Sequence, residues 1–121
     1  MMRGTRLREF ESEDLGAIKN LIDETIETSY SDFPDEFKEH MRDGHHSRES
    51  IMDEARKGYT IVLEYEGRLI GTGTLLGDAI RGVFVHPSYQ LKGLGRQIMR
   101  KLEEMALLLS LIHISEPTRQ A

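Results

Sequence analysis

The sequence predicts an α/β (α+β) domain, and two observations support that prediction. Apolar residues recur at helical spacing in the first half of the chain and alternate with period two over residues 59–65. A glycine-rich segment at residues 86–95 then joins a further strand to an amphipathic helix. The predicted order is a strand, helices, a strand meander and a strand–loop–helix unit.

Composition and charge indicate one soluble globular domain. The 121 residues are 38% hydrophobic and 31% charged, which is typical of a single domain with its own core. A net charge of −5 argues against a nucleic-acid partner, because phosphate neutralisation needs a basic excess. The absence of cysteine excludes disulfides and thiolate metal sites, and it fits a cytoplasmic location. The start lacks a secretory signal, and the longest apolar run is too short for a membrane span.

The first half of the chain predicts one strand and three helices. Residues 5–10 are expected to form a short first strand. Ser12, Pro34 and Ser47 suit the starts of helices, as a cap, a first-turn residue and a cap respectively. The three helices are expected to end near Tyr30, at Asp43-Gly44 and near Gly58.

The second half predicts a meander of strands. Tyr59, Ile61, Leu63 and Tyr65 alternate with the residues between them, which predicts a strand with one buried face. Glu66-Gly67 is a tight-turn dipeptide that returns the chain along residues 68–76. Gly71 and Gly73 lie inside this second arm and predict the close approach of another backbone or a ligand. Gly77-Asp78 turns the chain again, before a strand at residues 80–85.

The glycine-rich segment has the chemistry of an anion site. Free N–H groups at the start of a helix favour phosphate, and glycines remove the side chains that would block it. Lys92, Arg96 and Arg100 add positive charge, while Leu94, Ile98, Leu102 and Met105 form the apolar stripe of the helix. The P-loop pattern and the dinucleotide fingerprint both fail, the latter because Ile98 stands at its third glycine position. The alternative to an anion site is a turn at the start of the helix that needs small residues only for structural reasons.

The segment Gln90-Leu91-Lys92-Gly93-Leu94-Gly95 fits the motif Gln/Arg-x-x-Gly-x-Gly/Ala, and the chain resembles the GCN5-related N-acetyltransferases. The lead-in at residues 83–89 and the hairpin with Glu66-Gly67 and Gly71 are also similar to that family, so the resemblance covers most of residues 5–106. It implies the acyl-CoA N-acyltransferase (GNAT) fold, a mixed and mostly antiparallel sheet flanked by helices, here truncated after the fourth strand and the following helix.

The resemblance implies an N-acetyltransferase that moves an acetyl group from acetyl-CoA to a primary amine by direct attack. The acceptor would be a small molecule or a peptide, and the full-length protein would form a homodimer. The alternatives are a non-catalytic acyl-CoA-binding or regulatory module of the same fold, and a nucleotide-phosphate binder unrelated to CoA. The implied cofactor-binding residues are Phe84, Val85, Gln90, Leu91, Lys92, Gly93, Leu94, Gly95 and Arg96.

Each of these residues has an implied role. The amides from Leu91 to Arg96 would hold the pyrophosphate, with Lys92 and Arg96 as counter-charges, and Gln90 would fix the loop. Backbone groups of Phe84 and Val85 would pair with the pantetheine arm, and an N–H near Val85 would face the thioester carbonyl.

No catalytic residue is assigned by the sequence. The glutamate of histone-acetylating relatives aligns with Ala79, and a turn explains the neighbouring Asp78 more simply. The tyrosine that other members place after the fifth strand has no counterpart in this chain.

No metal site is predicted either. His40, His45 and His46 fit an exposed polar loop better than a zinc site, because no further ligands complete the set. His86, beside Pro87, is read as loop geometry. Tyr30 and Phe33 lie in a break that lines the acceptor site in many members, and we favour the alternative that they are ordinary hydrophobic anchors.

The end of the sequence has a different origin in our interpretation. Residues 109–119 match, at all eleven positions, the translation of a transposase adapter used in short-read sequencing libraries. We therefore divide the chain into a partial N-acetyltransferase domain at residues 1–108 and an adapter-derived tail at residues 109–121. The alternative is a genuine apolar strand followed by a polar tail.

Overall fold

The computed structural model describes residues 3–114, with side chains up to residue 111. Its strands form one antiparallel sheet in the order β1-β2-β3-β4, so β4 has a free edge. The main elements are β1 (Thr5–Glu9), α1 (Leu15–Ser29), α2 (Asp35–His40), α3 (Arg48–Lys57), β2 (Tyr59–Tyr65), β3 (Arg68–Leu76), β4 (Ala79–Val85) and α4 (Leu94–Ile114).

Helices cover both faces of the sheet. On one face, α4 contributes Leu94, Ile98 and Leu102 to a core that includes Ile61 and Leu63. On the other face, Val62 packs against apolar residues of α1 and α3. The prediction that β2 has a single buried face is therefore wrong, because α1 and α3 shield the face that carries Val62 from water.

The hairpin prediction is confirmed, but the prediction for its glycines needs correction. Glu66 and Gly67 both have positive φ, at 50° and 76°, as a tight two-residue turn requires. A Cβ on Gly73 would lie 2.5 Å from Cγ2 of Ile98, and one on Gly71 would lie 2.9 Å from Cδ1 of the same residue. The nearest approach to this strand is thus made by side chains of α4, while backbone oxygens of Phe84 and Gly82 in β4 lie at 3.4 and 3.5 Å from the same two positions.

The helix starts agree only in part with the sequence. Ser47 caps α3 as predicted, since its side chain accepts a hydrogen bond from the N–H of Ser50 at 3.1 Å. Ser12 is not a cap but begins a short 3-10 turn before α1. Asp14 instead accepts the N–H of Glu11 at 2.8 Å and pairs with Arg8, which pulls the entry to α1 against β1.

Two further differences concern the second helix and the end of the chain. The Asp43-Gly44 pair does not end a helix, because a π-helical turn continues from Met41 to His45. Residues 109–114 continue α4, so the alternative of an apolar strand in this segment is wrong, and residues 115–121 lie outside the described residues. Leu107, Leu108 and Leu111 of this helix are exposed. None of the described helices has the length and apolar character needed to cross a membrane.

Candidate functional site: the glycine loop at the free edge of the sheet

The candidate site lies where the chain leaves β4 and enters α4. The connecting segment, residues 86–93, is called the glycine loop below. It begins with a short 3-10 turn, Pro87–Tyr89, and ends at Gly93, whose φ of 79° leads into the first turn of α4. Leu91 also has positive φ, at 64°, and its side chain is fully exposed. A non-glycine residue in this conformation is strained, and such strain clusters at functional sites.

An open cavity of about 270 Å³ lies between the loop, the end of β4 and the start of α4. Six of the nine predicted cofactor-binding residues line it, namely Val85, Gln90, Leu91, Gly93, Leu94 and Gly95, together with Val83 and Tyr89. The first N–H groups of a helix have no acceptor within the helix, so those at the start of α4 are available to an anion. The structure therefore brings together the residues that the sequence assigned to one site.

The strand register determines which backbone groups of β4 face its free edge. The N–H of His86 donates to the carbonyl of Ile70 in β3 at 2.8 Å, and Phe84 is paired with Thr72 two residues earlier. Backbone direction alternates along a strand, so Phe84 points its N–H and C=O into the sheet, whereas Val83 and Val85 point theirs outward. The backbone of Phe84 is thus turned away from the free edge. Val83 was absent from the predicted set, although strand alternation could have found it.

Gln90 ties the loop to the strand and to α1. Its Nε2 donates to the carbonyl oxygen of Val85 at 3.0 Å and to Oγ of Ser29 at 3.4 Å. The carbonyl of Val85 is therefore occupied, and its N–H still faces the free edge. This contact is consistent with the role in fixing the loop that the sequence resemblance implies for Gln90.

Positive charge surrounds the loop without local compensation. Lys92, Arg96 and Arg100 are all exposed, and none of them belongs to an ion pair among residues 3–111. By contrast, Arg8 and Arg42 pair with carboxylates elsewhere on the molecule. The loop is thus a local cationic area in a protein whose net charge is −5.

His86 closes the other side of the loop. Its Nδ1 accepts the N–H of Ser88 at 3.1 Å, and its Nε2 lies 3.1 Å from Oε2 of Glu24 in α1. The ring also makes an edge contact with Tyr89, with centroids 5.8 Å apart. The reading of His86 as loop geometry fits these contacts. The partner Glu24 was missed, because nothing in the periodicity of α1 distinguishes it.

The other histidines form no metal site. No group of three His, Cys, Asp or Glu side chains within residues 3–111 is placed to hold a metal ion. His40 and His45 are exposed and make an edge contact with each other, but they lie at the end of α2 and in the π-helical turn that follows it, and not in the loop that the sequence predicted. His46 differs, because it is half-buried against the ring of Phe84 at 5.0 Å between centroids. Burial lowers the pKa of His46, with smaller contributions from His45 and Lys19.

The remaining candidates do not supply catalytic groups to the cavity. Tyr30 packs against Phe33 and reaches the core under α1, while Phe33 and Phe37 stack on the surface with centroids 5.0 Å apart. Asp78 is exposed in the turn after Gly77, and Ala79 begins β4. Within residues 3–111, the lining of the 270 Å³ cavity includes no carboxylate, histidine or lysine. The catalytic base is therefore unassigned by the structure as well as by the sequence.

Solved structures from several organisms share this fold. A GCN5-related N-acetyltransferase from Rhodopseudomonas palustris superposes with a TM-score of 0.81 at 21% identity, covering 91% of this chain and 70% of that one. The PaiA N-acetyltransferase from Thermoplasma acidophilum, in complex with coenzyme A, gives 0.77 at 16% identity, covering 88% and 74%. A GCN5-related N-acetyltransferase from Ralstonia eutropha gives 0.67 at 15% identity, covering 88% and 78%. These similarities show the fold.

Sequence comparisons add the family. A comparison with curated proteins found no match. The profile of the acetyltransferase (GNAT) family, however, matches residues 18–118, which include β2, β3, β4, the glycine loop and α4. Because this match covers most of the chain and includes every residue of the candidate site, the chain belongs to the acetyltransferase (GNAT) family.

Proposed function

We propose that the protein is an N-acetyltransferase that moves an acetyl group from acetyl-CoA to a primary amine by direct attack. The observation that carries the proposal is the glycine-loop cavity at the free edge of β4, beside which Lys92 and Arg96 make no ion pair with any side chain of residues 3–111. The structural neighbour from Thermoplasma acidophilum, solved with coenzyme A, supports the choice of donor. A ribosomal-protein alanine N-acetyltransferase from Escherichia coli, also among the neighbours, supports an amine acceptor.

The glycine loop would hold the pyrophosphate of acetyl-CoA. N–H groups from Leu91 to Arg96 would donate to phosphate oxygens, and Lys92 and Arg96 would neutralise their charge. Gly93 and Gly95 leave room for the phosphates because they carry no side chain. The sequence does not have the lysine with which a P-loop binds phosphate, so backbone N–H groups would be the main phosphate ligands here.

The free edge of β4 would hold the pantetheine arm. Outward backbone groups of Val83 and Val85 would pair with its amides, as an added strand would. The N–H of Val85 would also be a suitable donor to the thioester oxygen, on which negative charge develops during attack. We therefore replace the backbone of Phe84 by that of Val83 in the proposed site.

The reaction needs two protons to leave the acceptor nitrogen and a C–N bond to replace the C–S bond. An alkylammonium with a pKa of about 10.4 must first lose a proton, to a general base or to water. The amine nitrogen then attacks the thioester carbon, the C–N bond forms, and the C–S bond breaks. CoA leaves as the thiolate, which takes a proton as the acetylated nitrogen loses one.

We further propose that residues 1–108 are part of a larger acetyltransferase domain and that residues 109–121 derive from an adapter. The chain as it stands would then show weak CoA binding and weak or no activity, and the complete protein would be cytoplasmic and homodimeric. Long-read sequencing of unamplified source DNA across the codons for residues 104–121 tests this origin. Genomic codons for residues 109–119 would disprove it and would favour the non-catalytic alternative.

A titration series tests the function itself. Acetyl-CoA, CoA and ATP are titrated into the chain and into the protein restored by sequencing, and turnover is then measured with a panel of primary amines. The proposal expects CoA to compete with acetyl-CoA at concentrations where ATP does not, since only CoA carries the pantetheine arm. Equal competition by ATP would support a nucleotide-phosphate binder. Binding without turnover on every amine would support an acyl-CoA-binding module.

A further inference from the structure

Helix α1 contacts the glycine loop at two points. Near the middle of the helix, Glu24 lies 3.1 Å from Nε2 of His86, at the start of the loop. At its last residue, the hydroxyl of Ser29 accepts from Nε2 of Gln90 at 3.4 Å. The loop is thus attached to a helix that lies more than 50 residues earlier in the sequence.

The hydrogen bonds of His86 fix the state of its ring. Because the N–H of Ser88 donates to Nδ1, that nitrogen carries a lone pair and no proton. The proton of the neutral ring is then on Nε2, where it can be donated to the Glu24 carboxylate. Both nitrogens are in use, so His86 is not free to act as a base or as a metal ligand.

The loop contains a strained residue that its surroundings must hold. Leu91 has positive φ with an exposed side chain, so its own packing does not stabilise that conformation. Such a conformation persists only where neighbouring contacts over-determine it. On the α4 side, Tyr89 packs against the core and against Tyr65. On the α1 side, the contacts are those of His86 and Gln90.

We propose that Glu24 and His86 are positioning residues, which hold the glycine loop in the shape that accepts the pyrophosphate of CoA. The inference rests on the proposed function for its ligand. The part of the inference that concerns the order of the loop does not depend on that function. The Glu24 side chain is 59% exposed, so its removal opens no cavity in the core and should leave the fold intact, although it takes the acceptor from a His86 side chain that is only 12% exposed. The effect of removal should therefore appear in the loop before it appears in global stability.

The first measurement is made on the loop without ligand. Long-range ¹H–¹⁵N NMR of His86 should show the neutral tautomer with the proton on Nε2. The amide of Ser88 should exchange with solvent about two- to five-fold faster in Glu24→Ala, as expected for loss of one hydrogen bond to a largely exposed carboxylate. Glu24→Gln keeps an acceptor oxygen and should restore most of the protection. A proton on Nδ1 would overturn the proposal.

The matched control is Glu27→Ala on the same helix. Glu27 is similarly exposed and pairs with Lys38 and Arg42, away from the loop. Glu27→Ala should leave the hydrogen exchange of the Ser88 amide unchanged. Equal effects of Glu24→Ala and Glu27→Ala would show a general weakening of α1 and would contradict a specific positioning role. Adding Glu24→Ala to His86→Phe should cause no further change, because the pair is already broken.

The second measurement is made with CoA. Glu24→Ala should weaken CoA binding about two- to five-fold more than Glu27→Ala, with kcat unchanged wherever turnover is measurable. Unchanged CoA affinity in Glu24→Ala, with normal binding by the parent protein, would overturn the positioning role. If the protein restored by sequencing does not bind CoA, the proposed function fails instead, and the NMR results alone then decide whether the pair orders the loop.

Discussion

The two faces of the sheet are built by different kinds of contact. On the α4 face, a repeated apolar stripe packs on two glycines of β3, and the glycine loop directly precedes that helix in the sequence. On the α1 and α3 face, polar contacts between distant segments matter more. Lys19 is only 9% exposed and donates to Asp23 at 2.7 Å and to the carbonyl of Arg42. Local sequence therefore specifies the α4 face more completely than the α1 face.

Glycine-to-alanine substitutions should have opposite effects on the two faces, and the first is the largest effect we expect. In Gly73→Ala the new Cβ would lie 2.5 Å from Cγ2 of Ile98 and 2.9 Å from Cδ1 of Leu102. Overpacking of this kind costs about 1–3 kcal/mol of unfolding free energy. Denaturation by urea, followed by circular dichroism, measures it.

Gly16→Ala is the matched control on the α1 face. A Cβ at Gly16 meets nothing within 4 Å, and the residue lies in a helix. Alanine should therefore stabilise the protein by about 0.5–1 kcal/mol through helix propensity. Loss of stability in Gly16→Ala, or none in Gly73→Ala, would contradict the contrast between the faces.

The same contrast explains which predictions succeeded. The hairpin, the cap at Ser47 and the apolar stripe of α4 were predictable, since each depends on neighbours two to four residues apart. The cap at Ser12 was predicted wrongly because Arg8, on a neighbouring strand, draws in Asp14 instead. The second buried face of β2 was missed because period two reports only alternation, and a helix packed on the far side leaves no mark on it.

Most residues of the candidate site were predictable for a similar reason, and the residues that were missed depend on distant parts of the chain. The loop motif is contiguous, so five of its six residues line one cavity. Alternation along β4 groups Val83 with Val85, but which residues of β4 face the free edge depends on its pairing with β3, which the sequence does not give. Glu24 was also missed, because a single exposed carboxylate on a helix has no pattern that would single it out.

The next largest effect separates backbone strain from ligand binding in the loop. Gly93 and Gly67 have similar φ, at 79° and 76°, and a Cβ at either meets nothing within 4 Å. Alanine at each should cost about 1 kcal/mol of unfolding free energy, because both must be left-handed. Only Gly93→Ala should also weaken CoA binding in a titration. Equal affinity in the two variants would argue against the loop as the phosphate site.

Removing loop cations should have a smaller effect, and one that depends on salt. Lys92→Ala and Arg96→Ala should each weaken CoA binding about two- to five-fold at low ionic strength, and less at high ionic strength. Stability should be unchanged, since neither residue belongs to an ion pair among residues 3–111. Lys57→Ala, on an exposed surface pair in α3, is the control and should leave CoA affinity unchanged at every salt concentration.

The smallest effect belongs to the α1 face and depends on pH. Burial lowers the pKa of His46 in the folded protein below its value of about 6.5 in an unfolded chain. The unfolded chain then binds the proton more readily, so stability is lost as pH falls from about 6.5 towards the folded pKa. Between those two values the loss is at most about 1.4 kcal/mol per pH unit for one group. His46→Phe keeps a ring against Phe84 and should flatten the dependence of unfolding free energy between pH 7 and pH 5.5.

The exposed His40 is the control for this prediction, and His40→Gln should leave the slope of the parent protein in place. The Arg8–Asp14 pair does not confuse the measurement, although it also makes stability depend on pH. A hydrogen bond from Arg8 lowers the pKa of Asp14, so that contribution is present above the ordinary Asp pKa and is lost only in stronger acid. If the unfolding free energy of His46→Phe depended on pH between 7 and 5.5 as strongly as that of the parent protein, the burial of His46 would not explain the loss of stability in mild acid. The polar contacts of Lys19 would then be the next to test, because they join the same segments.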